Sequence, residues 1–202
     1  MRVYIDGENV RHTLARILCA EGSIGSRHDM TAFPLRRLIE ALVEEEAQIT
    51  YYASRIKLPV GYEPSVEILD RANQIKEFAR KWVPHLALQD IEYVKAGYLK
   101  VKSGQTCPKC WHTHDLLQEK GVDVRIAVDV LDHAHQNPKQ TIAIFSSDTD
   151  LIPALDRVKK NGTRVVYIAH SEAINRAIDA TAHETITFTA RKVTQLYKEH
   201  RG

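Results

Sequence analysis

Val3-Tyr4-Ile5-Asp6-Gly7-Glu8-Asn9 opens the chain with three apolar residues that end on an acid and a glycine. Three such residues read as a short buried strand, and the spacing of Val10, Leu14, Ile17 and Leu18 that follows predicts a helix. The same unit recurs along the chain. Ile49 to Ala53 is a strand, Thr141 to Phe145 a buried strand, Arg164 to Ile168 another, and Thr185 to Phe188 a short one. Between them helical spacing is found from Pro34, from Pro64 to Trp82, from Asp123 to His135 and from Asp150 to Lys160, where Asn161-Gly162 suits a C-cap. Ser171 to Ala180 and Ala190 to His200 complete the helices. Ile91 to Val101 is β-rich and broken at Gly97, which fits one bent strand or a hairpin. Glu21 to Thr31 and Gly104 to His114 read as surface loops.

Strands that alternate with helices predict an α/β fold: a three-layer α/β/α, Rossmann-like domain around a mainly parallel central sheet. At 202 residues one domain, spanning 1–202, is the default. With 44% hydrophobic and 27% charged residues, the composition is that of a folded chain rather than a disordered one. No apolar run approaches the roughly 18 residues of a membrane helix, and the N-terminus turns acidic before a signal sequence can develop. No membrane association and a cytoplasmic location are therefore expected. A formal net charge of +2 permits a polyanionic partner without demanding one.

In parallel sheets ligands bind beyond the carboxyl ends of the strands, near the point where strand order reverses. Asp6 follows the first strand, Asp148 follows Ile142 to Phe145 with Asp150 two residues on, and Asp123 opens a helix. Carboxylates are hard oxygen donors suited to Mg²⁺ or Mn²⁺, and several in one crevice repel one another without a cation. Each has a plainer reading, since Asp6-Gly7 suits a turn and Asp123 or Asp150 a helix cap.

The words around these acids are more specific than the acids themselves. Val3 to Asn9, Lys120-Gly121-Val122-Asp123-Val124-Arg125-Ile126-Ala127-Val128-Asp129, and Ser146-Ser147-Asp148-Thr149-Asp150-Leu151-Ile152-Pro153 occur in this order. Together they resemble the NYN domain, and within it the LabA-like group of the PIN-like nuclease superfamily. The resemblance runs from Arg2 to about Ile168. It implies a PIN-like fold and a metal-dependent endoribonuclease, with RNA as substrate and DNA as the alternative. Carried over by position, Asp6, Asp123 and Asp148 match the catalytic, metal-binding acidic triad. Asn9 and Asp150 match its supporting residues. Leu151 stands where a phenylalanine is usual, which bears on packing rather than chemistry. Asp129 also matches, but six residues along a helix it points roughly 120° away from Asp123, so a supporting role holding Lys120 or Asn9 is expected. Arg11 and Lys120 are candidates for phosphate contacts, with His12, Arg16, Arg27 and His28 as a basic rim.

Cys107-Pro108-Lys109-Cys110-Trp111-His112-Thr113-His114 is a second candidate. Cys107, Cys110, His112 and His114 suit a structural Zn²⁺, and equally suit reduced thiols in a polar loop. The contrasting function is a catalytically silent PIN-like module that binds RNA or a protein. Such a module is expected to have lost part of the acidic set, and here none is missing. A nucleotide-binding domain needs a glycine-rich loop after the first strand, which Asp6-Gly7-Glu8-Asn9 does not provide.

Overall fold

A computed structural model describes residues 1–57, 65–102, 108–111 and 115–201. Seven strands form one sheet: β1 (Arg2–Asp6), β2 (Gln48–Lys57), β3 (Glu92–Lys102), β4 (Leu116–Lys120), β5 (Ile142–Phe145), β6 (Val165–His170) and β7 (Glu184–Phe188). Their order is β4-β3-β2-β1-β5-β6-β7, and every pair is parallel except β3 with β4. The chain first builds outward from β1 on one side, then returns to its other side with β5. The reversal of strand order therefore falls between β1 and β5, where the parallel-sheet rule puts a ligand.

Among the described residues seven helices cover the two faces. Alternating strand residues decide which side each core occupies. Val3, Ile5, Ala143, Phe145, Val166 and Ile168 face one core, built with α1 (Gly7–Ala20), α2 (Leu35–Val43), α3 (Val66–Leu88) and α7 (Ala190–Arg201). Tyr4, Ile142, Ile144, Val165 and Tyr167 face the other, built with α4 (Val122–Gln136), α5 (Ile152–Lys160) and α6 (Arg176–Thr181). β5 and β6 are buried along their whole length, as strands covered on both faces must be. Among the described residues no helix is long and apolar enough to cross a membrane.

The structure differs from the sequence reading in four places. The region at Ile91 to Val101 is one bent strand, and its partner β4 is a strand that the sequence reading assigned to no element. The bend has a local cause. Register shifts by one residue between Ala53 and Ser54, opposite Gly97, and a Cβ on Gly97 would lie 2.4 Å from the Lys120 carbonyl oxygen. Only glycine lets the β4–α4 junction approach that closely. Helix α3 runs past Trp82 and through Pro84 to Leu88, and α6 begins only at Arg176. The expected surface loop at 21–31 buries Ile24 and Met30 and leads into a 3-10 turn at Asp29–Ala32. Of the cysteine-histidine cluster, Cys107, His112 and His114 lie outside the described residues, while Cys110 is exposed.

Candidate active site

Three carboxylates meet at the strand-order reversal. Asp123, Asp148 and Asp150 bring one oxygen each within 4.8 Å of the others. Two oxygens on opposite sides of a small divalent ion lie about 4.2 Å apart at metal–oxygen distances near 2.1 Å. The spacing is close to that span, and with the hard-oxygen donor set the group could hold a metal ion. Each acid arrives differently. Asp148 follows β5 and caps a 3-10 turn at Thr149–Leu151, accepting the Asp150 N–H at 2.9 Å. Asp150 is thereby turned back towards Asp148. Asp123 sits in the first turn of α4, but Gly121, at φ 90°, occupies the cap position with no side-chain cap bond. The Asp123 carboxylate is left for the cluster.

Asp6 lines the same cleft but is held differently. It ends β1, caps α1 by accepting the Asn9 N–H at 3.1 Å, and accepts the Ser146 hydroxyl at 3.1 Å. Burial pushes its carboxyl up to about 6, against the pull of those two donors, and the charges of Asp123 and Asp148 push the same way. Asp123 is raised too, first by burial and then by Asp148. The cleft is thus short of positive charge at its centre. The sequence reading grouped Asp6 with Asp123 and Asp148. The structure brings Asp150 into the close cluster and sets Asp6 beside it as the most buried member.

Several residues hold this arrangement. Asn9 donates from its carboxamide to the Ser147 hydroxyl at 2.6 Å, tying α1 to the segment after β5. Asn175, the cap of α6, donates to the Ser147 carbonyl at 2.9 Å. Glu119, near the end of β4, accepts from Ser54 at 2.7 Å, and burial lifts its carboxyl to about 7 with Asp6, Glu8 and Asp123 adding to the rise. Ser146, Asn175 and Glu119 were not singled out in the sequence. Ser146 stands inside the third acidic word and its signal was present; the other two depend on β4 and α6, whose places only the fold reveals.

Three expected site residues, a supporting one and two phosphate contacts, stand elsewhere. Asp129 contacts neither Lys120 nor Asn9. It accepts the Tyr52 hydroxyl at 3.0 Å and the Arg125 guanidinium at 2.9 Å, on the far side of α4. The helical angle from Asp123 dictates that separation. Arg11 is clasped by Glu8 through two bonds of 3.0 and 2.6 Å and lies 5.1 Å over the Phe78 ring, so it is not free for a phosphate. Lys120 is exposed at the end of β4, and the described residues lining the cleft do not include it. The cations lining that cleft are Arg16 and Arg27, with His12 beside them.

A three-layer sheet with acids gathered at its strand-order reversal defines a PIN-like domain. The chain belongs to the NYN domain family, whose model matches residues 1–189, and the NYN domain is a nuclease-type member of the PIN-like superfamily. No curated protein matches it. A solved structure of a protein of unknown function from Vibrio parahaemolyticus RIMD 2210633 is similar at 14% identity and a TM-score of 0.47, over 93% of this chain and 91% of that one.

Proposed function

We propose that this chain is a divalent-metal-dependent endoribonuclease of the LabA-like group, acting in the cytoplasm. The observation that carries the reading is the approach of Asp123, Asp148 and Asp150 within 4.8 Å, beside a buried Asp6, at the mouth of an open cleft. Mg²⁺ or Mn²⁺ bound there would polarise a phosphodiester oxygen and make a water easier to deprotonate.

The chain's own residues supply the rest. Asp123, Asp148 and Asp150 would hold the ion. Asp6, whose carboxyl burial raises above the ordinary range in the metal-free protein, stands beside the cluster, where a carboxylate can take a proton from the attacking water. Ser146 and the Asn9 N–H fix the orientation of that carboxylate. Asn9 and Ser147 hold α1 against the turn that carries Asp148. Arg16 and Arg27, both exposed on the cleft wall, give a strand of RNA its phosphate contacts. The intact acidic set favours catalysis over a silent binding module.

The test is incubation of pure protein with labelled RNA and DNA, with Mg²⁺, with Mn²⁺ and with chelator. Internal cleavage of RNA that needs the metal supports the reading. Intact RNA under every condition, from protein that binds the metal, would return the chain to the silent-module class.

A further inference from the structure

Past the register shift at Ala53 and Ser54, β2, β3 and β4 continue as a three-stranded ribbon whose two faces differ. Directly paired residues point the same way, and successive residues alternate. One face carries Ser54, Ile56, Leu99, Val101 and Glu119, all half-buried, and Glu119 lines the acidic cleft. The other face turns to solvent. On it Arg55, Tyr98 and Lys120 stand side by side across the three strands, with Lys100 and Gln118 paired in the next row. All of these but the half-buried Tyr98 are exposed.

This outer face has one sign of charge. Elsewhere on the surface cations stand against acids: Glu8 holds Arg11 and His12, Glu77 holds Arg80 and Lys81, and Glu199 holds Arg37. Among the described residues no carboxylate pairs with Arg55, Lys100 or Lys120. Like charges in neighbouring rows repel one another. Lysine on an edge strand guards against pairing with other sheets, and that accounts for Lys120 on β4. It does not account for Arg55, which lies two strands inward. The Arg55 guanidinium lies 4.8 Å over the Tyr98 ring and donates to its hydroxyl at 3.1 Å. An arginine held on an aromatic ring among unpaired lysines has the composition of a surface for a single nucleic-acid strand.

We propose that the outer face of this ribbon binds single-stranded RNA outside the cleft. This rests on the nuclease reading above for the strand that also enters the cleft. That strand, with its scissile phosphate at Asp123, Asp148 and Asp150, continues over the edge strand β4 and onto the outer face. The path is short, because Lys120 precedes Asp123 by three residues. Its neighbour Glu119 points into the cleft while Lys120 points away. Lys120, Lys100 and Arg55 meet backbone phosphates, and a base stacks on the Arg55–Tyr98 pair. Charge complementarity selects RNA over a protein partner, since a row of cations around one ring offers phosphates regular partners and a protein little apolar surface.

The test uses the full chain carrying Asp148→Asn, in chelator, so that binding is read without cutting. Fluorescence anisotropy follows a labelled single strand of about 16 nucleotides, the upper end of common site sizes, across a range of salt. Arg55→Gln/Lys100→Gln/Lys120→Gln is compared with Arg37→Gln/Arg80→Gln/Lys81→Gln, which removes the same charge from cations that acids already hold. The ribbon triple should weaken the strand at least about tenfold and lower its salt slope by about 2, at roughly 0.7 per phosphate contact. The control triple should do neither. Tyr98→Leu, which keeps every charge, should weaken the strand at least about fivefold. Equal effects from the two triples, or none from the ribbon triple, overturn the surface. Polyglutamate that displaces the strand as well as polyuridylate of equal charge also overturns it, in favour of an acidic protein.

Cleavage separates this from the nuclease reading itself. Metal-dependent cleavage by the parent, with a ribbon triple that binds as the parent does, removes the surface and leaves the nuclease. A parent that cuts no RNA, with a ribbon triple that still loses the strand, keeps the surface and removes the nuclease.

Discussion

Ser146 donates its hydroxyl to Asp6 at 3.1 Å while its oxygen accepts the Asp148 backbone N–H, also at 3.1 Å. One side chain, 2% exposed, thus sets the first acidic position against the third across 140 residues of chain. It also holds the Asp6 carboxyl lower than burial alone would leave it. Ser146→Ala should cost about 1–3 kcal/mol, since a part-buried N–H and a buried carboxylate both lose a partner. It should also push Asp6 higher, so the acid limb of the pH–rate profile moves to higher pH. Denaturant unfolding and cleavage rates from pH 5 to 8 give the two readouts. An unmoved limb would remove Asp6 from the proton-transferring role.

The metal-free protein should lose stability as pH rises. Folding raises the Asp6 carboxyl to about 6 and Glu119 to about 7, so between pH 4 and 7 the folded state binds more protons than the unfolded. Stability is then greatest below the unfolded values and falls as pH climbs through the folded ones. Asp6 alone contributes on the order of 2–3 kcal/mol to that slope. Melting curves in chelator should show it, Asp6→Asn should flatten it, and added Mn²⁺ should offset it. A melting temperature that rises across this window in chelator contradicts the electrostatics described here.

Asp123→Asn, Asp148→Asn and Asp150→Asn should each reduce cleavage by about 100-fold or more, with weaker Mn²⁺ binding measured by calorimetry. Asp129→Ala should do neither. Its cost is structural, about 1–3 kcal/mol, through the lost Tyr52 and Arg125 bonds. Full activity in Asp150→Asn would mean that its place in the cluster has no bearing on the chemistry.

Binding and cleavage should separate in Asp148→Asn, which keeps the cations of the cleft wall. Fluorescence anisotropy with a short single strand should show affinity falling steeply with salt. Arg16→Ala and Arg27→Ala should each lower the salt slope by about one phosphate contact. Arg11→Ala should leave the slope unchanged, because Glu8 already neutralises it. A flattened slope in Arg11→Ala alone would relocate the strand to the α1–α3 side.

The sheet and most of its helices were legible because period-two and period-3.6 patterns are local properties. Asp6 and Asp148 were legible because strand ends are visible in sequence and the fold rule places sites there, and Asp123 because it opens a helix within the second acidic word. β4 was hidden: Leu116 to Lys120 carries three polar residues in five, and it becomes a strand only through pairing with the bent β3. With β4 went Glu119. Arg11 was misread for a related reason. Charge and position mark a residue as a candidate for RNA, but Glu8 one turn earlier decides whether that charge is free. Asp129 shows geometry serving well, since its distance from the cluster followed from helical angle alone.

The central place of β1 has a consequence for when the protein becomes competent. β1 pairs with β5 at Arg2↔Ile142 and Ile5↔Phe145, so the innermost ladder joins residues synthesised 140 positions apart. At about 5–20 residues per second, roughly 7–30 s separate the emergence of Asp6 from that of Asp150. Throughout that interval a nascent chain holds an incomplete acidic set, with one side of β1 still awaiting its neighbour. If the chain is the nuclease proposed here, it cannot cut the message from which it is being read until the ribosome has passed the codon for Asp150. Latency during synthesis follows from strand order, with no inhibitor required.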